Sequence, residues 1–320
     1  MHRIQSSVVL LAVSLQLASG TCRADDSLIG LPQPRNANRP GSIVLHGGGL
    51  VTNDVFDRFV ELAGGRDARI VLVPSAGYRM ADYPDMKSYR ATLASRYSSW
   101  VQLKFDGHVA DFRFLTTDNP SDANHSEFIR PLESATGVWF SGGDQSRLNY
   151  RYVGEFPSRT KFQDTLVGVI QRGGVVGGTS AGTAAMPEIM TLWDETSEGS
   201  SRSSAVAAHG LGLFDRAIVE QHFNTRGGRL ERFTDLLKDQ VRLNKLARRP
   251  NASDTMIGIA IEERSAVVAR NNRLEVLGET NSHVFLKSDQ GRTIQWCELA
   301  PGEDAQLTAG PGNTVRLLRR

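Results

Sequence analysis

The chain has 320 residues, of which 40% are hydrophobic and 22% are charged, a composition ordinary for a globular enzyme. Its length allows one large domain or two small ones. The 37 basic and 35 acidic residues leave a formal net charge of +2, so the charge balance gives no basis for nucleic-acid binding.

The N-terminus has the pattern of an export signal. Residues 2–3 are basic, residues 8–18 are mostly apolar, and small residues follow as far as Ala24. We therefore predict a signal peptide over residues 1–24, with cleavage after Gly20 as the alternative, and a secreted or periplasmic protein. The apolar segment is shorter than the roughly 20 residues needed to cross a bilayer, so no membrane span is expected.

Two cysteines are present in the sequence. If Cys22 leaves with the signal, Cys297 is the only remaining thiol, and no internal disulfide can form. Lipidation of Cys22 is a minor alternative, because Ser19 stands where a large aliphatic residue is expected. The histidines do not cluster at metal-ligand spacing, so neither a metal nor another cofactor is expected.

Apolar runs separated by helical patterns predict an α/β protein. Residues 25–40 contain three prolines and are predicted to form a loose leader. Helices are predicted over 53–62, 91–97 and 162–170. Strands are predicted over 42–45, 69–73, 109–114, 137–140, 175–178 and 217–220. Strands this apolar favour a parallel sheet covered by helices on both faces.

After about residue 256 the predicted strands follow one another without helices. They cover 257–261, 265–269, 273–277 and 283–286, with further strands near 296–297 and 314–318. The tight turns between them indicate an antiparallel extension. We therefore predict a catalytic α/β domain over residues 41–290 and a β-rich C-terminal extension over 291–320.

The segment around Ser180 is the strongest catalytic signal. Gly178 and Gly182 flank Ser180 in a G-x-S-x-G pattern, where a short strand is predicted to turn sharply into a helix. Such a turn directs the backbone N–H of Ala181 toward an oxyanion formed at the serine. The alternative is a tight glycine-rich turn with an incidental serine.

Other polar groups follow predicted strands, where sites gather in open α/β sheets. Gly143 and Asp144 follow the 137–140 strand and are expected to donate backbone N–H groups to an oxyanion. His222 follows a later strand and is the best candidate for the general base. A carboxylate of the Glu262–Glu263 pair is expected to orient its imidazole.

Four blocks of the sequence contain these features: 138–148, 177–186, 220–232 and 258–263. Taken together, they resemble the cyanophycinase-like serine peptidases, which are relatives of aspartyl dipeptidase. The resemblance covers roughly residues 40 to 280, and the blocks occur in the family's order. The implied fold is a three-layer α/β/α sandwich with a mostly parallel sheet, of the class I glutamine-amidotransferase-like type, plus the C-terminal antiparallel β extension.

The resemblance also implies site roles. Ser180 is expected to be the nucleophile, His222 the general base and Glu263 the orienting acid. The expected substrate-binding residues are Gln145, Gln221, Arg226, Arg229 and Arg232. Similar enzymes cleave the poly-aspartate backbone of cyanophycin, which carries arginine on each side-chain carboxyl, and release β-aspartyl-arginine dipeptides. An acyl-enzyme mechanism on a peptide-like polymer is therefore the expected function.

Some positions depart from the family pattern. Glu220 replaces the usual aspartate before the Gln-His pair, Asp144 replaces a common asparagine, and an extra residue separates the first two arginines. An exported peptidase acting on other isoaspartyl or acidic peptides is therefore an alternative. The expected partners include no nucleic acid, no membrane span is expected, and a homodimer is left open.

Two other interpretations use different features of the sequence. The run His46-Gly47-Gly48-Gly49 is similar to the oxyanion loop of α/β-hydrolase esterases, whose triad here would use Asp254 and His283 with Ser180. His46 lies 134 residues before Ser180, a long separation for that arrangement. A secreted binding protein with a degenerate site is the third interpretation, and the intact Ser180, His222 and Glu263 argue against it.

Overall fold

A computed structural model describes residues 27–192, 206–288, 291–311 and 314–319. The predicted signal peptide lies outside the described residues. The helices are α1 (Asn53–Leu62), α2 (Met86–Arg96), α3 (Ser98–Phe105), α4 (Ser126–Glu133), α5 (Gln145–Tyr152), α6 (Lys161–Gln171), α7 (Ala181–Ala184), α8 (Arg229–Lys238) and α9 (Gln240–Ala247). The strands of the central sheet are β1 (Ser42–His46), β2 (Arg69–Val73), β3 (Asp111–Phe114), β4 (Gly137–Phe140), β5 (Val175–Thr179), β10 (Ser265–Arg270), β11 (Arg273–Gly278), β14 (Asp304–Ala309) and β15 (Val315–Arg319). The other strands are β6 (Ile189–Leu192), β7 (Val206–His209), β8 (Ala217–Glu220), β9 (Ile257–Ile261), β12 (Ser282–Ser288) and β13 (Thr293–Leu299).

The central sheet combines a parallel and an antiparallel half. Its strand order is β15-β14-β11-β10-β1-β5-β4-β2-β3. In this order, the neighbouring strands on the side of β1 that runs to β3 are paired in parallel. The neighbouring strands on the side of β1 that runs to β15 are paired antiparallel. The α/β class predicted from the sequence is confirmed. The parallel strands form one half of the central sheet, which ends at the edge strand β3.

The strand predicted at 217–220 does not join the parallel sheet. It forms β8, which pairs with β9 in a second sheet of order β13-β12-β9-β8. In the central sheet, the two edges of β1 are paired with β5 and β10. Strands β12 and β13 pair with each other, so residues on both sides of position 290 share this second sheet.

The side chains of the central strands alternate between two buried faces. Ile43 and Leu45 of β1 lie in the core beneath α4, α5, α6 and α7. Val44 faces the opposite way, toward α1 and α3. Helices α8 and α9 cover the outer face of the second sheet. Because both faces of the central strands are buried, those strands are continuously apolar in sequence.

Local signals set where several helices begin. Thr160 accepts a hydrogen bond from the Gln163 N–H, and the Gln163 side chain bonds back to the Thr160 N–H, which forms a capping box at the start of α6. At the start of α2, the Asp85 side chain accepts a hydrogen bond from the Ser88 N–H. These caps satisfy N–H groups that have no acceptor within the helix.

The described part of the predicted loose leader is packed against the domain. Residues 27–40 contain no helix or strand, yet Ile29 is fully buried and its carbonyl accepts the Arg216 N–H at 3.1 Å. The Leu28 N–H donates to the Asn272 side chain at 2.7 Å. The prolines prevent regular structure here but do not prevent packing.

Within the described ranges, no helix is both long enough and apolar enough to traverse a bilayer.

The aromatic cluster beneath α1 yields a stability prediction. Phe59 is fully buried and lies 5.0 Å from Trp139 and 5.6 Å from Trp100 between ring centroids. We expect Phe59→Ala to lower the free energy of unfolding by about 3–5 kcal/mol, because it removes apolar contacts and leaves a cavity. Urea denaturation followed by circular dichroism measures this change.

The matched control is Phe105→Ala, because Phe105 is 78% exposed. We expect it to change the free energy of unfolding by less than about 0.5 kcal/mol. Equal losses in the two variants would contradict the assignment of Phe59 to the core.

Candidate active site

Ser180 lies on a sharp turn between β5 and α7. Its backbone has φ 54° and ψ −116°, a conformation that is rare for a residue with a side chain. The Ser180 N–H donates to the His46 carbonyl of β1 at 3.0 Å. A Cβ on Gly182 would lie 2.5 Å from the Phe140 carbonyl oxygen, so only glycine allows α7 to pack this closely on β4. The strand-turn-helix arrangement predicted around Ser180 is present.

Ser180, His222 and Glu263 form one continuous hydrogen-bonded chain. The Ser180 Oγ lies 2.7 Å from His222 Nε2, and His222 Nδ1 is hydrogen bonded to the Glu263 carboxylate. The Thr225 hydroxyl also donates to that carboxylate, at 3.0 Å. With Nδ1–H held by the carboxylate, Nε2 is left as an acceptor for the serine proton. The three side chains predicted as a triad are therefore in contact.

The surroundings of His222 favour its neutral form. Burial lowers the pKa of the imidazole below its ordinary value of 6.5, while the hydrogen bond to Glu263 opposes that shift. The His222 hydrogen bond in turn lowers the pKa of the Glu263 carboxyl. Near neutral pH the pair is therefore a neutral imidazole beside a carboxylate, the state that a general base requires.

The glycine run after β1 packs against this pair. A Cβ on Gly48, which has φ 120°, would lie 2.3 Å from the His222 ring. The His222 N–H donates to the Gly47 carbonyl at 2.8 Å, and His222 itself adopts a positive φ of 52°. Glycine is required at position 48, because a side chain at this position would displace the His222 imidazole.

The triad of the esterase interpretation is not assembled in the structure. His283 Nε2 lies 3.1 Å from Glu262, and the His283 ring contacts Phe223 and Trp296. Asp254 receives a hydrogen bond from Ser253 at 3.4 Å. The imidazole that contacts Ser180 is that of His222.

The structure gives the predicted oxyanion residues different surroundings. Ala181 is the first residue of α7, so its N–H has no acceptor within that helix. Gly143 lies against the backbone of Ala76, and its role stays a prediction. Asp144 is a correction, because its N–H donates to the Ala76 carbonyl at 3.0 Å and its side chain caps α5. That N–H is therefore already engaged.

The two predicted glutamines are buried on different elements. Gln145 begins α5, and its Nε2 donates to the Thr191 carbonyl of β6 at 3.0 Å. Gln221 is 3% exposed, and its Oε1 has no hydrogen-bond partner among the described residues. Gln145 thus ties α5 to β6, and a substrate role for either residue stays a prediction.

Of the three predicted arginines, Arg229 is buried, Arg232 is partly buried and Arg226 is exposed. Arg229 is 2% exposed and forms an ion pair with Glu220, which is fully buried. Arg232 Nε lies 3.4 Å from the second oxygen of the same carboxylate. Both guanidinium groups thus face Glu220 inside the protein, and their substrate roles stay predictions, whereas Arg226 is exposed. Sequence alone did not reveal the pairing, because Glu220 lies in β8 and the arginines lie in α8.

A cavity of about 780 Å³ opens beside Ser180 and was not predicted from the sequence. Gly142 and Thr179 line it next to the serine. Its other lining residues include the aromatic side chains Phe56, Tyr78, Tyr97, Trp100 and Trp139. They come from four separate segments, so no local motif could have indicated their convergence.

In the part of the chain that the structure describes, no group of three or more His, Cys, Asp or Glu side chains is placed to hold a metal ion.

Comparisons with known proteins place the chain in a peptidase family. Residues 43–277 match the model of peptidase family S51. Cyanophycinases from Synechococcus elongatus and Geminocystis herdmanii are 29% and 27% identical over 225 and 228 residues, or 70% and 71% of this chain. The aligned regions span 60% and 72% of those two relatives. The crystal structure of a peptidase from an acI-B1 Actinobacterium superposes with a TM-score of 0.57 at 21% identity, over 83% of this chain and 97% of that one, and supports the fold.

The His222–Glu263 contact predicts how the imidazole titrates. We expect the His222 pKa to lie below 6.5 and to fall further in Glu263→Gln, because the carboxylate stabilises the protonated ring. Titration of the histidine ring resonances by NMR measures both values. Glu61→Gln on the exposed face of α1 should leave the His222 pKa unchanged. A rise in Glu263→Gln would mean that the carboxylate does not act on His222.

The ion cluster of Glu220, Arg229 and Arg232 predicts a large stability loss. Glu220→Gln removes the buried carboxylate that Arg229 and Arg232 share, and we expect the free energy of unfolding to fall by about 3–5 kcal/mol. Urea denaturation is the measurement. The control is Glu127→Gln, whose pair with Arg130 is exposed and worth less than about 1 kcal/mol. Similar losses for both variants would show that the cluster contributes little.

Proposed function

Because the chain belongs to peptidase family S51, we propose that it is a serine peptidase of the cyanophycinase type, with Ser180 as its nucleophile. The observation that carries the proposal is the continuous contact from Ser180 Oγ through His222 to Glu263. An acceptor nitrogen 2.7 Å from a serine hydroxyl, with a carboxylate behind it, is the arrangement that activates a serine.

The reaction would proceed through an acyl-enzyme. His222 Nε2 removes the Ser180 proton as Oγ attacks the scissile carbonyl, and the Ala181 N–H stabilises the oxyanion, with Gly143 as the second candidate donor. The imidazolium formed on His222 is stabilised by Glu263 and then protonates the leaving amine. Water, deprotonated by the same imidazole, attacks the ester and regenerates the serine.

The substrate we propose is the poly-aspartate backbone of cyanophycin, hydrolysed to β-aspartyl-arginine dipeptides. Its support is the likeness to cyanophycinases and the position of the exposed Arg226, whose charge acts on both His222 and Glu263. A guanidinium at this place can bind a carboxylate of an acidic chain. Other isoaspartyl or acidic peptides are the alternative, since Glu220 uses Arg229 and Arg232 within the protein.

Three further proposals accompany this function. The parallel strands from β1 to β3, with helices on both faces, support assignment to the class I glutamine-amidotransferase-like fold. The basic, apolar and small-residue pattern of residues 1–24 supports export to the periplasm or the exterior. A homodimer stays a prediction that size-exclusion chromatography with light scattering tests directly.

The decisive experiment is product analysis on purified protein. Incubation with cyanophycin followed by mass spectrometry should detect β-aspartyl-arginine, and Ser180→Ala should reduce its formation by roughly 10⁴-fold or more. The midpoint of the acid limb of the kcat/KM profile should lie below pH 6.5, because the base must be neutral and burial lowers the pKa of His222.

Two controls separate the reaction class from the substrate. His283→Ala should keep activity within about tenfold of wild type, because His283 does not contact Ser180. If cyanophycin is not cleaved but a fluorophosphonate still labels Ser180, the peptidase mechanism stands and the substrate is another acidic or isoaspartyl peptide. Absence of both reactions would sink the proposed function.

A further inference from the structure

The cavity beside Ser180 has walls suited to a flat apolar group. Phe56 contacts Trp100 edge-on with ring centroids 4.6 Å apart, and Tyr78 contacts Tyr97 in the same way at 6.1 Å. Leu50, 66% exposed, lies at the opening. These contacts hold the rings in place, so the cavity is formed before a ligand enters.

The polar groups of the cavity do not provide a site for a cation. Among its lining residues, all of them described, the one with a formal charge is Arg96, which is the last residue of α2 and is exposed. Burial raises the pKa of Tyr97 to about 12, while a hydrogen bond with Ser141 and the charge of Arg96 lower it. Tyr97 therefore stays neutral, and its ring is within reach of the Arg96 charge.

The cavity lies on a definite side of the serine. The glycine run forms a partition, because Gly48 packs against the His222 ring while Gly49 and Leu50 line the cavity. Neither His222 nor Glu263 is among the lining residues. The imidazole must protonate the leaving amine, so the leaving group lies on the His222 side. The cavity then lies beside the acyl half of the substrate.

We propose that this cavity is the subsite for the acyl-side side chain and that it selects a large aromatic or apolar group over a guanidinium, with Arg96 as the residue that disfavours cations. The proposal rests on the serine-peptidase activity proposed above. It makes cyanophycin, whose side chains carry arginine, a slower substrate than an isoaspartyl peptide that carries an aromatic amino acid. Aromatic faces attract cations weakly, which would favour arginine, but the fixed charge of Arg96 opposes that attraction. The preferred polymer or peptide would carry an aromatic amino acid on the side-chain carboxyl of its aspartate.

The test uses aspartyl tripeptides that differ at one conjugated amino acid. The side-chain carboxyl of the acyl-side aspartate carries phenylalanine, citrulline or arginine, each joined through its α-amino group, so all three keep the same α-carboxylate. Citrulline matches arginine in size and lacks its charge. We expect kcat/KM for the phenylalanine conjugate to exceed that for the arginine conjugate by at least about tenfold, with citrulline between them.

Arg96→Glu is the variant that reverses the charge of the cavity edge. We expect it to raise the arginine-to-citrulline ratio of kcat/KM by at least about tenfold, because a carboxylate would pair with the guanidinium. Arg90→Glu is the matched control, since Arg90 is exposed on the same helix and does not line the cavity. It should leave that ratio unchanged, and circular dichroism checks that both variants fold.

The outcomes distinguish this inference from the proposed function. The subsite would be overturned, and the peptidase function would stand, if all three conjugates were hydrolysed with arginine preferred. The same holds if Arg96→Glu did not change the arginine-to-citrulline ratio of kcat/KM. No hydrolysis of any conjugate, together with no phosphonate labelling of Ser180, would overturn both. The subsite would be supported if phenylalanine were preferred and the arginine-to-citrulline ratio changed in Arg96→Glu but not in Arg90→Glu.

Discussion

The site depends on the junction between β1 and β5, where the backbone of His46 holds the serine turn. The His46 carbonyl accepts the Ser180 N–H at 3.0 Å and the Thr183 hydroxyl at 2.8 Å, while its ring is 2.7 Å from the Thr179 hydroxyl. Burial lowers the pKa of His46 to about 4, so the ring is neutral near pH 7 and adds no charge beneath the nucleophile. These bonds over-determine the turn, and that is what allows the positive φ of Ser180 to persist.

The same end of β1 also places the general base. The chain leaves His46 through a glycine run whose carbonyl groups bond to His222 and Arg264, each at 2.8 Å. One short loop therefore positions the histidine against the serine and the segment that carries Glu263 against the histidine. Because His222 comes from the second sheet and Ser180 from the central sheet, their 2.7 Å contact requires the two sheets to keep a fixed relation. The shared apolar core between them supplies that constraint.

Much of the fold, together with Ser180, His222 and Glu263, could be predicted because the sequence signals for them are local. The strands β2 and β4 have the predicted bounds, since their apolar runs end at clear turn residues. The turn at Ser180 is marked by its flanking glycines, and His222 and Glu263 follow apolar strands. The pairing of β8 with β9, the burial of Arg229 and the aromatic cavity depend instead on which segments meet in three dimensions. The motif at His46 was visible in the sequence, but its function as a packing surface for His222 depends on a residue 176 positions later.

Charge is arranged differently on the two sides of the serine. On the His222 side, Glu263 and the buried Glu220 stand close to three arginines, and that side carries the groups that handle protons and carboxylates. On the other side, the cavity is bounded by neutral aromatic rings and a single exposed guanidinium. An acyl group that entered this cavity would exclude water from one face of Ser180 while the imidazole kept access to the other. Lower local polarity strengthens the hydrogen bonds made to the oxyanion. The apolar cavity would then assist the chemistry as well as select the substrate, because a well-filled cavity removes the solvent that competes with the Ala181 N–H.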